Sequence, residues 1–424
     1  MDIFKDKRME SYFNLDCEEI ISIKKEFEPP LKKKPKKLIF LIESKIIALD
    51  IILPVAMEIR EENPSINIDF VFLRKDYLDD IKKNYILWNG MKKTGRITFL
   101  LYGGNRKSTI YEKVRTCFRL VSNLFKIGQT EVILFYRRDL SSIFLALLAL
   151  AVRYGNGAII GYPKIAHPIS KALQISLLKQ EPFAVHHRFQ ADRHFIFHPL
   201  QKEEQKRFTS APSVTIGTPR FFPVWQSYLN DILENDGIYN IQNEKIDTQS
   251  KKILTIFYPG NHDLPDLENA SSCRDQFILS LKVINSSYQD KLKVIVKPHA
   301  ICNLTELKND LNEVENLDVE LTYAHPQLLA KLSIACIVPN GTNVIDDMYL
   351  EGIPVLETSL YKSDIRENGG SLFPNVGRIE CLNEVQLNDA INKLLYDPGA
   401  LNKPEVNHLF WPKEYKISEL LWGN

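Results

Sequence analysis

Side chains that could bind phosphate stand at the end of an apolar stretch in the C-terminal half of this sequence. The stretch KVIVKPHAICN, residues 293–303, runs from strand-like residues into Lys297, Pro298 and His299. Proline fixes φ and removes one backbone donor, so it can stiffen this corner and aim the next side chain. An imidazole can donate a hydrogen bond to phosphate as a neutral or a protonated ring. Lys297 and His299 are therefore candidate phosphate ligands, although a lone histidine at a strand end is more often structural.

A second polar corner, Asn340 to Asn343, follows the apolar stretch ACIV and opens a helical pattern. Gly341 would let the backbone approach a ligand closely, and Thr342 and Asn343 offer side-chain hydrogen bonds. Free N–H groups at a helix start would also attract an anion. The alternative, that these residues simply cap the helix, stays open. Asp347 lies five residues after Thr342, where its carboxylate could accept hydrogen bonds from a ribose diol.

Competing acids and absent motifs limit this interpretation. Asp346 and Glu351 flank Asp347 and could instead face solvent, and the sequence does not separate the three. No GxGxxG follows the first predicted strand of either half, and no GxxxxGK[ST] occurs. Dinucleotide-binding and P-loop functions are therefore poorly supported.

These corners require a parallel sheet that brings strand ends together. Strand candidates alternate with helix-compatible stretches, which predicts βαβ units. They lie at 38–44, 66–73, 96–104, 130–136, 157–163, 195–199 and 213–219, and again at 252–260, 291–299, 319–323, 335–340 and 354–358. In open parallel sheets, ligands bind beyond the carboxyl ends of the strands. The sequence therefore predicts an α/β protein with two Rossmann-like domains and mostly parallel sheets.

The predicted organisation has two similar halves, as expected for a chain of 424 residues. Residues 226–250 are polar, lack a strong period and are predicted to be a linker. The predicted segments are an N-terminal arm (1–37), an N-terminal domain (38–225), the linker (226–250), a C-terminal domain (251–403) and a C-terminal helix (404–424). In this scheme the last helix could pack back on the N-terminal domain.

The charge balance is nearly neutral, with a formal net charge of +1 from 54 basic and 53 acidic residues. This balance argues against nucleic-acid binding, which usually requires a strongly basic footprint. The cluster KKKPKK, Lys32–Lys37, is an exception. It is interpreted as a solvated linker or, alternatively, as a segment attracted to an anionic membrane or polymer.

The remaining composition predicts a cytoplasmic protein. The start of the chain lacks a signal-peptide pattern, and six dispersed cysteines fit reduced thiols. The longest apolar run, residues 143–152, is much shorter than the roughly 20 residues that span a bilayer. Peripheral association with the inner face of the cytoplasmic membrane remains the alternative for the basic cluster.

The C-terminal half resembles the nucleotide-binding domain of GT-B glycosyltransferases. It is most similar to bacterial surface-polysaccharide enzymes, namely capsule and teichoic-acid polymer transferases and CDP-glycerol glycerophosphotransferase-like proteins. KVIVKPH is similar to their strand followed by Lys-Pro-His-Pro, and residues 334–357 are similar to their strand, Ser/Thr-rich turn and helix. The helix of that group carries an acid seven residues before a proline, which is Asp347 here. SVTIGTPRF, residues 213–221, is similar to the corner that closes their first domain.

The resemblance implies a GT-B fold with two sheets facing across a cleft, the N-terminal domain binding the acceptor and the C-terminal domain the donor. It implies a nucleotide-sugar-dependent glycosyltransferase, moving a sugar or polyol phosphate to a growing surface glycan. His299 and Thr342, with Asn343, would bind donor phosphates, and Asp347 the ribose. Ala300 replaces the second proline of the motif and leaves the donor open: a cytidine-linked donor is expected first, then a UDP- or GDP-sugar.

An acceptor base is expected from the N-terminal half. The candidates are Glu43, directly after the first predicted strand, and His167, after the strand GAIIG. Glu43 could instead cap the following helix, and His167 could pack against Pro168. The expected partners are the nucleotide-sugar donor and a glycan or lipid-linked glycan acceptor, with no metal and no cofactor. Two alternative functions remain: a nucleotide-sugar epimerase of the same fold, and a non-catalytic GT-B-like nucleotide-binding protein.

Overall fold

A computed structural model describes the strands of both halves and the helices around them. The described residues are 37–42, 46–72, 81–99, 111, 118, 132–137, 150, 152–154, 157–163, 191–199, 201–206, 210–260, 267–269, 271–299, 302–314, 317–340, 344–367, 378–398, 413 and 415–422. Their strands are β1 (Lys37–Ile42), β2 (Asn67–Phe72), β3 (Arg96–Phe99), β4 (Val132–Arg137), β5 (Ala158–Tyr162), β6 (Arg193–Ile196), β7 (Ser213–Thr215), β8 (Lys252–Tyr258), β9 (Leu292–Pro298), β10 (Val319–Leu321), β11 (Ser333–Val338), β12 (Val355–Glu357) and β13 (Arg378–Glu380). Their helices include α1 (Ile46–Glu62), α2 (Tyr85–Thr94), α3 (Gln201–Lys206), α4 (Pro223–Asn235), α5 (Ser272–Tyr288), α6 (Leu304–Asn312), α7 (Pro326–Leu332), α8 (Val344–Leu350), α9 (Ser363–Glu367), α10 (Glu384–Tyr396) and α11 (Ile417–Trp422).

The N-terminal sheet contains seven described strands in the order β3-β2-β1-β4-β5-β6-β7. Its strand pairs are parallel, and Leu38 of the central strand β1 pairs with Ile68 of β2 and Ile133 of β4. Strand β1 is buried along Leu38–Ile42, and Phe40 stacks on Phe135 with ring centroids 4.4 Å apart. Apolar side chains on both faces of a strand are typical of a parallel sheet covered on both sides.

The C-terminal sheet has the order β10-β9-β8-β11-β12-β13, again with parallel pairs. Numbered within each sheet, both orders begin 3-2-1-4-5-6, which is the Rossmann order. The winding direction reverses between β1 and β4 in one sheet and between β8 and β11 in the other. The predicted α/β class with two Rossmann-like parallel-sheet domains is confirmed.

Helices sandwich the C-terminal sheet. Leu254, Ile256 and Tyr258 alternate along β8, so they share one face, and they join a buried core with side chains of α5, α6 and α10. Helices α7 and α8 lie outside this core and contact each other and the strands β8, β11 and β12. The carboxyl end of β11 therefore leads directly into the region of α8.

The described part of the chain divides into two compact units between Tyr228 and Leu229, and Lys413 and residues 415–422 belong to the first of them. We call these the N-terminal and the C-terminal unit. Helix α11 contacts α1 within the N-terminal unit. No helix among the described residues is long and apolar enough to cross a membrane.

The predicted linker, residues 226–250, differs from the structure because its first part belongs to helix α4. Trp225, Leu229 and Ile232 are buried and recur at i, i+4 and i+7, the spacing of one helix face. A segment starting at 226 omits Trp225 and so hides the period. After α4, Tyr239 and Lys245 form an antiparallel bridge.

Candidate functional site

The carboxyl edge of the C-terminal sheet carries the candidate site. Strands β8, β9 and β11 are hydrogen-bonded neighbours and run in parallel, so Tyr258, Pro298 and Val338 end at the same edge. Tyr258 pairs directly with Pro298. The switch point between β8 and β11 lies at this edge, which is the place where open α/β sheets bind ligands.

His299 lies on a corner whose main chain is held on both sides. Its N–H donates to the carbonyl oxygen of Tyr258 at 2.8 Å, and its carbonyl accepts from the N–H of Cys302 at 2.9 Å. Pro298 before it is buried, whereas the His299 side chain is exposed. Lys297 is half-buried near the end of β9, paired with Phe257. The corner thus presents an imidazole at the sheet edge from a fixed backbone.

A buried polar network fixes helix α6 beside this corner. The hydroxyl of Tyr258 donates to Oδ2 of Asp310 at 3.2 Å, and Nε of Arg274 donates to Oδ1 at 2.8 Å. Burial, together with the nearby Asp310 charge, raises the pKa of Tyr258. Burial also raises the pKa of the Cys302 thiol to about 11, with Glu306 and Asp310 adding to the effect. Cys302 is therefore protonated at neutral pH and is a poor nucleophile.

The main chain beside the switch point includes a residue with a positive φ. Gly260, two residues after β8, has φ of +97°, a value that L side chains rarely adopt. On the other side of the switch point, Asn340 is half-buried at the end of the β11 corner. The predicted ligands Gly341, Thr342 and Asn343 lie outside the described residues. The predicted bases Glu43 and His167 also lie outside them.

Asp347 occupies the first turn of α8, whose described part begins at Val344. Asp346 and Asp347 are both buried, so Asp346 does not face solvent as the sequence allowed. Glu351 is half-buried and pairs with Lys331 at 3.1 Å. Desolvation disfavours ionised carboxylates, so two adjacent buried ones in the first turn of the helix that follows β11 are a feature typical of functional sites.

Two hydroxyls at the end of β12 were not singled out from the sequence. Thr358 is tied to the end of β11, since its N–H donates to the Val338 carbonyl at 3.0 Å. Within the described part of the chain, the side-chain oxygens of Thr358 and Ser359 are buried without a hydrogen-bond partner. Unsatisfied buried hydroxyls call for an explanation, such as a bound water or ligand. The signal in the sequence was the hydroxyl pair at the end of the predicted strand PVLET, residues 354–358, and directly after it.

The N-terminal sheet offers a comparable edge. Strand β1 ends at Ile42 beside β4, at the switch point, and Glu43 is the next residue along the chain. The histidine-rich stretch 186–198 is described only from residue 191. There, His194 is fully buried and its Nδ1 lies 2.9 Å from Nε2 of Gln205. His194 thus has a packing role in the described structure.

Comparison with known proteins gives a fold. No family model matches the chain, and no curated protein sequence matches it. A solved UDP-N-acetylglucosamine 2-epimerase is similar at 14% identity, with a TM-score of 0.53 over 92% of this chain and 93% of that one. The carboxyl-edge geometry and the two Rossmann orders agree with this similarity. The chain has the GT-B fold.

Two further GT-B neighbours support the same conclusion. A putative UDP-N-acetylglucosamine 2-epimerase from Listeria monocytogenes is 13% identical, with a TM-score of 0.52 over 91% of this chain and 94% of that one. TcCGT1, solved in complex with UDP, is 10% identical, with a TM-score of 0.52 over 87% and 92%. The neighbours are GT-B-type UDP-sugar glycosyltransferases and UDP-GlcNAc 2-epimerases. Identities this low establish the fold alone.

Proposed function

We propose that the chain transfers a sugar from a nucleotide-activated donor whose nucleotide binds at the carboxyl edge of the C-terminal sheet. One observation carries the proposal. An exposed imidazole, His299, and a buried carboxylate, Asp347, follow the ends of β9 and β11, the strands on either side of β8. In this proposal they would supply a phosphate ligand and a ribose ligand at one edge of the sheet.

The donor phosphates are assigned to the basic corner. His299 and Lys297 would neutralise charge as the nucleoside phosphate leaves, and electrostatic stabilisation of this kind often contributes most to the rate enhancement of an enzyme. Gly341, Thr342 and Asn343 would add hydrogen bonds to the same phosphates. Asp347 would accept from the ribose, and the buried hydroxyls of Thr358 and Ser359 are further donors at this edge.

The acceptor hydroxyl needs a general base, which we assign to the N-terminal unit. Glu43 is the first candidate, because it directly follows the strand end at the switch point of the N-terminal sheet. His167, five residues after β5, is the second. The proposed acceptor is a growing surface glycan, free or lipid-linked, and the group moved is a sugar or a polyol phosphate.

The sequence and the structural neighbours favour different bases for the donor nucleotide. The sequence favoured a cytidine-linked donor, but the names of the neighbours with this fold refer to UDP or to a UDP-sugar. We therefore put a UDP-sugar first and keep CMP-, CDP- and GDP-linked donors as competitors in the test.

A UDP-sugar 2-epimerase is the second candidate. The observation in its favour is that two of the neighbours with TM-scores above 0.5 are named UDP-N-acetylglucosamine 2-epimerases. An epimerase would convert its donor without any acceptor, whereas a transferase would release nucleotide slowly until an acceptor is supplied.

The deciding experiment is calorimetric titration with UDP, CDP, CMP and GDP, followed by incubation with the sugar conjugate of the best ligand. Asp347→Asn should weaken nucleotide binding, and the exposed Lys282→Ala on α5 is the control. Conversion of the donor sugar to its epimer in the absence of an acceptor would overturn the transferase function and support the epimerase function. Nucleotide binding without either reaction would indicate a non-catalytic protein, and no binding to any nucleotide would overturn the proposal.

A further inference from the structure

A basic groove lies at the amino edge of the N-terminal sheet, the edge opposite to the end of β1. Its volume is about 610 Å³. We use the name basic groove for the cavity lined by the cations Lys37, Arg60, Lys92, Lys93 and Arg96, the carboxylate Asp69, and Asn67, Ile68, Thr94 and Gly95. Five cations from four elements thus converge around one acid, giving a net charge of +4.

The single acid of the basic groove is already neutralised. Arg96 holds Asp69 with two hydrogen bonds, Nε to Oδ1 at 3.1 Å and Nη2 to Oδ2 at 2.8 Å. Lys37 pairs with Oδ2 at 2.5 Å. The hydrogen bond and charge of Asp69 raise the pKa of Arg96. Asp69 is only 5% exposed, so it lies beneath the cations rather than among them.

The other three cations retain free donors. Arg60 donates from Nε to the Thr94 carbonyl at 3.0 Å and from Nη1 to the Pro64 carbonyl at 2.8 Å, which uses two of its five N–H groups. The Lys92 ammonium lies 5.4 Å from the Trp88 ring centroid, and that of Lys93 lies 5.6 Å from the Tyr228 ring. Neither lysine has a carboxylate partner among the described residues.

Helix polarity explains only part of this arrangement. Lys92 and Lys93 lie in the last turn of α2, and Arg60 in the last turn of α1, where cations complement the helix dipole. Lys37 and Arg96 instead begin strands β1 and β3. Four more lysines, at positions 32, 33, 34 and 36, immediately precede Lys37 in the sequence. Because the whole chain carries only +1, this concentration of positive charge is local.

We propose that the basic groove binds a phosphate-bearing anion. The remaining N–H groups of Arg60 can donate to phosphate oxygens, and the exposed lysines Lys92 and Lys93 supply further charge at the rim. Two sources share this chemistry: the headgroup of an anionic phospholipid in a bilayer, and a free diphosphate compound. The groove lies at the amino end of β1, opposite to its carboxyl end at Ile42.

The test compares charge-matched variants of the full chain. The double variant Lys92→Gln/Lys93→Gln removes two rim charges, and Lys282→Gln/Lys308→Gln removes two exposed lysines of the C-terminal unit. The probes are vesicles of equal parts phosphatidylglycerol and phosphatidylcholine, pure phosphatidylcholine vesicles, and sodium pyrophosphate. Each lysine near an anionic bilayer is worth about fivefold in affinity, so we expect about a 30-fold loss for the groove variant.

The arms separate the two sources. Loss of binding to the anionic vesicles in the groove variant, with the control unchanged, supports the lipid source. Loss of a pyrophosphate-induced thermal shift in the same variant supports the free diphosphate. Lys92→Arg/Lys93→Arg should retain binding in either case. The proposal is overturned if the wild-type chain binds neither the anionic vesicles nor pyrophosphate. Equal losses of binding in both Gln variants also overturn it. Neither result depends on nucleotide binding.

Discussion

The main-chain N–H of His299 donates a 2.8 Å hydrogen bond to the main-chain carbonyl of Tyr258. This bond joins the end of β9 to the end of β8 at the carboxyl edge of the sheet, next to the switch point. Pro298 has no N–H of its own, so the His299 amide is the donor that closes the corner. The imidazole extends from this fixed point while remaining exposed. Backbone and side chain of His299 therefore have separable roles.

Replacing His299 by Ala should remove the side chain without disturbing the corner. We expect the free energy of unfolding to change by less than about 0.5 kcal/mol, as for most exposed substitutions. Turnover should fall by about 100-fold if the imidazole stabilises the leaving phosphate. Urea denaturation and steady-state kinetics measure the two effects. A variant that keeps wild-type turnover would contradict the phosphate role, and His299→Gln, which retains a donor, should recover part of the loss.

Three buried tyrosines of the C-terminal unit predict two different outcomes for Tyr→Phe substitutions. Tyr258 donates to Asp310, and its loss should cost about 1 to 3 kcal/mol. Tyr361 donates to the buried Glu357 at 2.6 Å and should cost a similar amount. The Tyr349 hydroxyl has no partner among the described residues, so Tyr349→Phe should be neutral or stabilising. Denaturation midpoints at fixed pH measure all three, and a large loss for Tyr349→Phe would contradict this ranking.

Two of these tyrosines predict a loss of stability in alkali. Burial raises the pKa of Tyr258 and of Tyr349 in the folded state. The unfolded phenol ionises near pH 10, so the unfolded state loses protons first and the folded state is fully favoured only below that pH. Stability should therefore fall as the pH rises above about 10. Tyr258→Phe should make the unfolding free energy fall less steeply with pH in this range. An unchanged slope would argue against a buried neutral phenol.

The sequence predicted the elements of the C-terminal unit well because their apolar periods are local. His299 and Asn340 were correctly predicted at strand ends, whereas Lys297 and Pro298 belong to β9 itself. The shared edge followed from the parallel topology. Strand β6 was harder to predict. It begins at Arg193, two residues before the apolar stretch FIFHP. Arg193 donates to the Leu420 carbonyl and His194 contacts Gln205, so buried polar partners replace the apolar pattern there.

Side-chain partners could not be predicted, because residues far apart in the sequence supply them. Arg274 and Asp310 are 36 positions apart, and no local pattern connects them. Strand β13, which is three residues long and includes Arg378 and Glu380, also lacked an apolar signature. The unsatisfied hydroxyls of Thr358 and Ser359 became visible only once the neighbouring strand end was in place.

Arg378 and Glu357 form a buried ion pair, and removing only one of the two charges should lower the free energy of unfolding. Their side chains are 2.6 Å apart and only 7% and 1% exposed. Arg378→Met should cost about 3 to 5 kcal/mol, because it leaves the Glu357 carboxylate buried without its cation. Adding Glu357→Leu should recover part of the loss, since it removes the unpaired carboxylate but also the acceptor of the Tyr361 hydroxyl.

A double-mutant cycle in urea measures this coupling. The two single variants and the double variant give the interaction free energy directly. The exposed pair Lys393 and Asp389 on α10 is the control, because surface pairs contribute only about 0 to 1 kcal/mol. If the double variant were less stable than Arg378→Met alone, the desolvation argument would be wrong.

Glu62 anchors the last helix of the chain to α1. Its two carboxylate oxygens accept from the N–H groups of Ile417 at 2.9 Å and Ser418 at 2.7 Å, the free donors at the start of α11. Lys413 donates to Glu62 at 2.8 Å and also to Glu58. Burial lowers the pKa of Lys413, but hydrogen bonds and charge from both glutamates outweigh this and raise it overall.

Glu62→Ala should therefore release α11 from the N-terminal unit. Hydrogen bonds to a charged group are worth about 1.5 to 3 kcal/mol each, so we expect a loss of about 3 kcal/mol. Hydrogen exchange of the amides in 417–422 should become fast, while those of β1 change little, because β1 is held by its own sheet. Glu61→Ala, at an exposed neighbouring position, is the matched control. Unchanged protection of 417–422 in Glu62→Ala would mean that apolar packing of Ile417, Leu420 and Leu421 alone holds the helix.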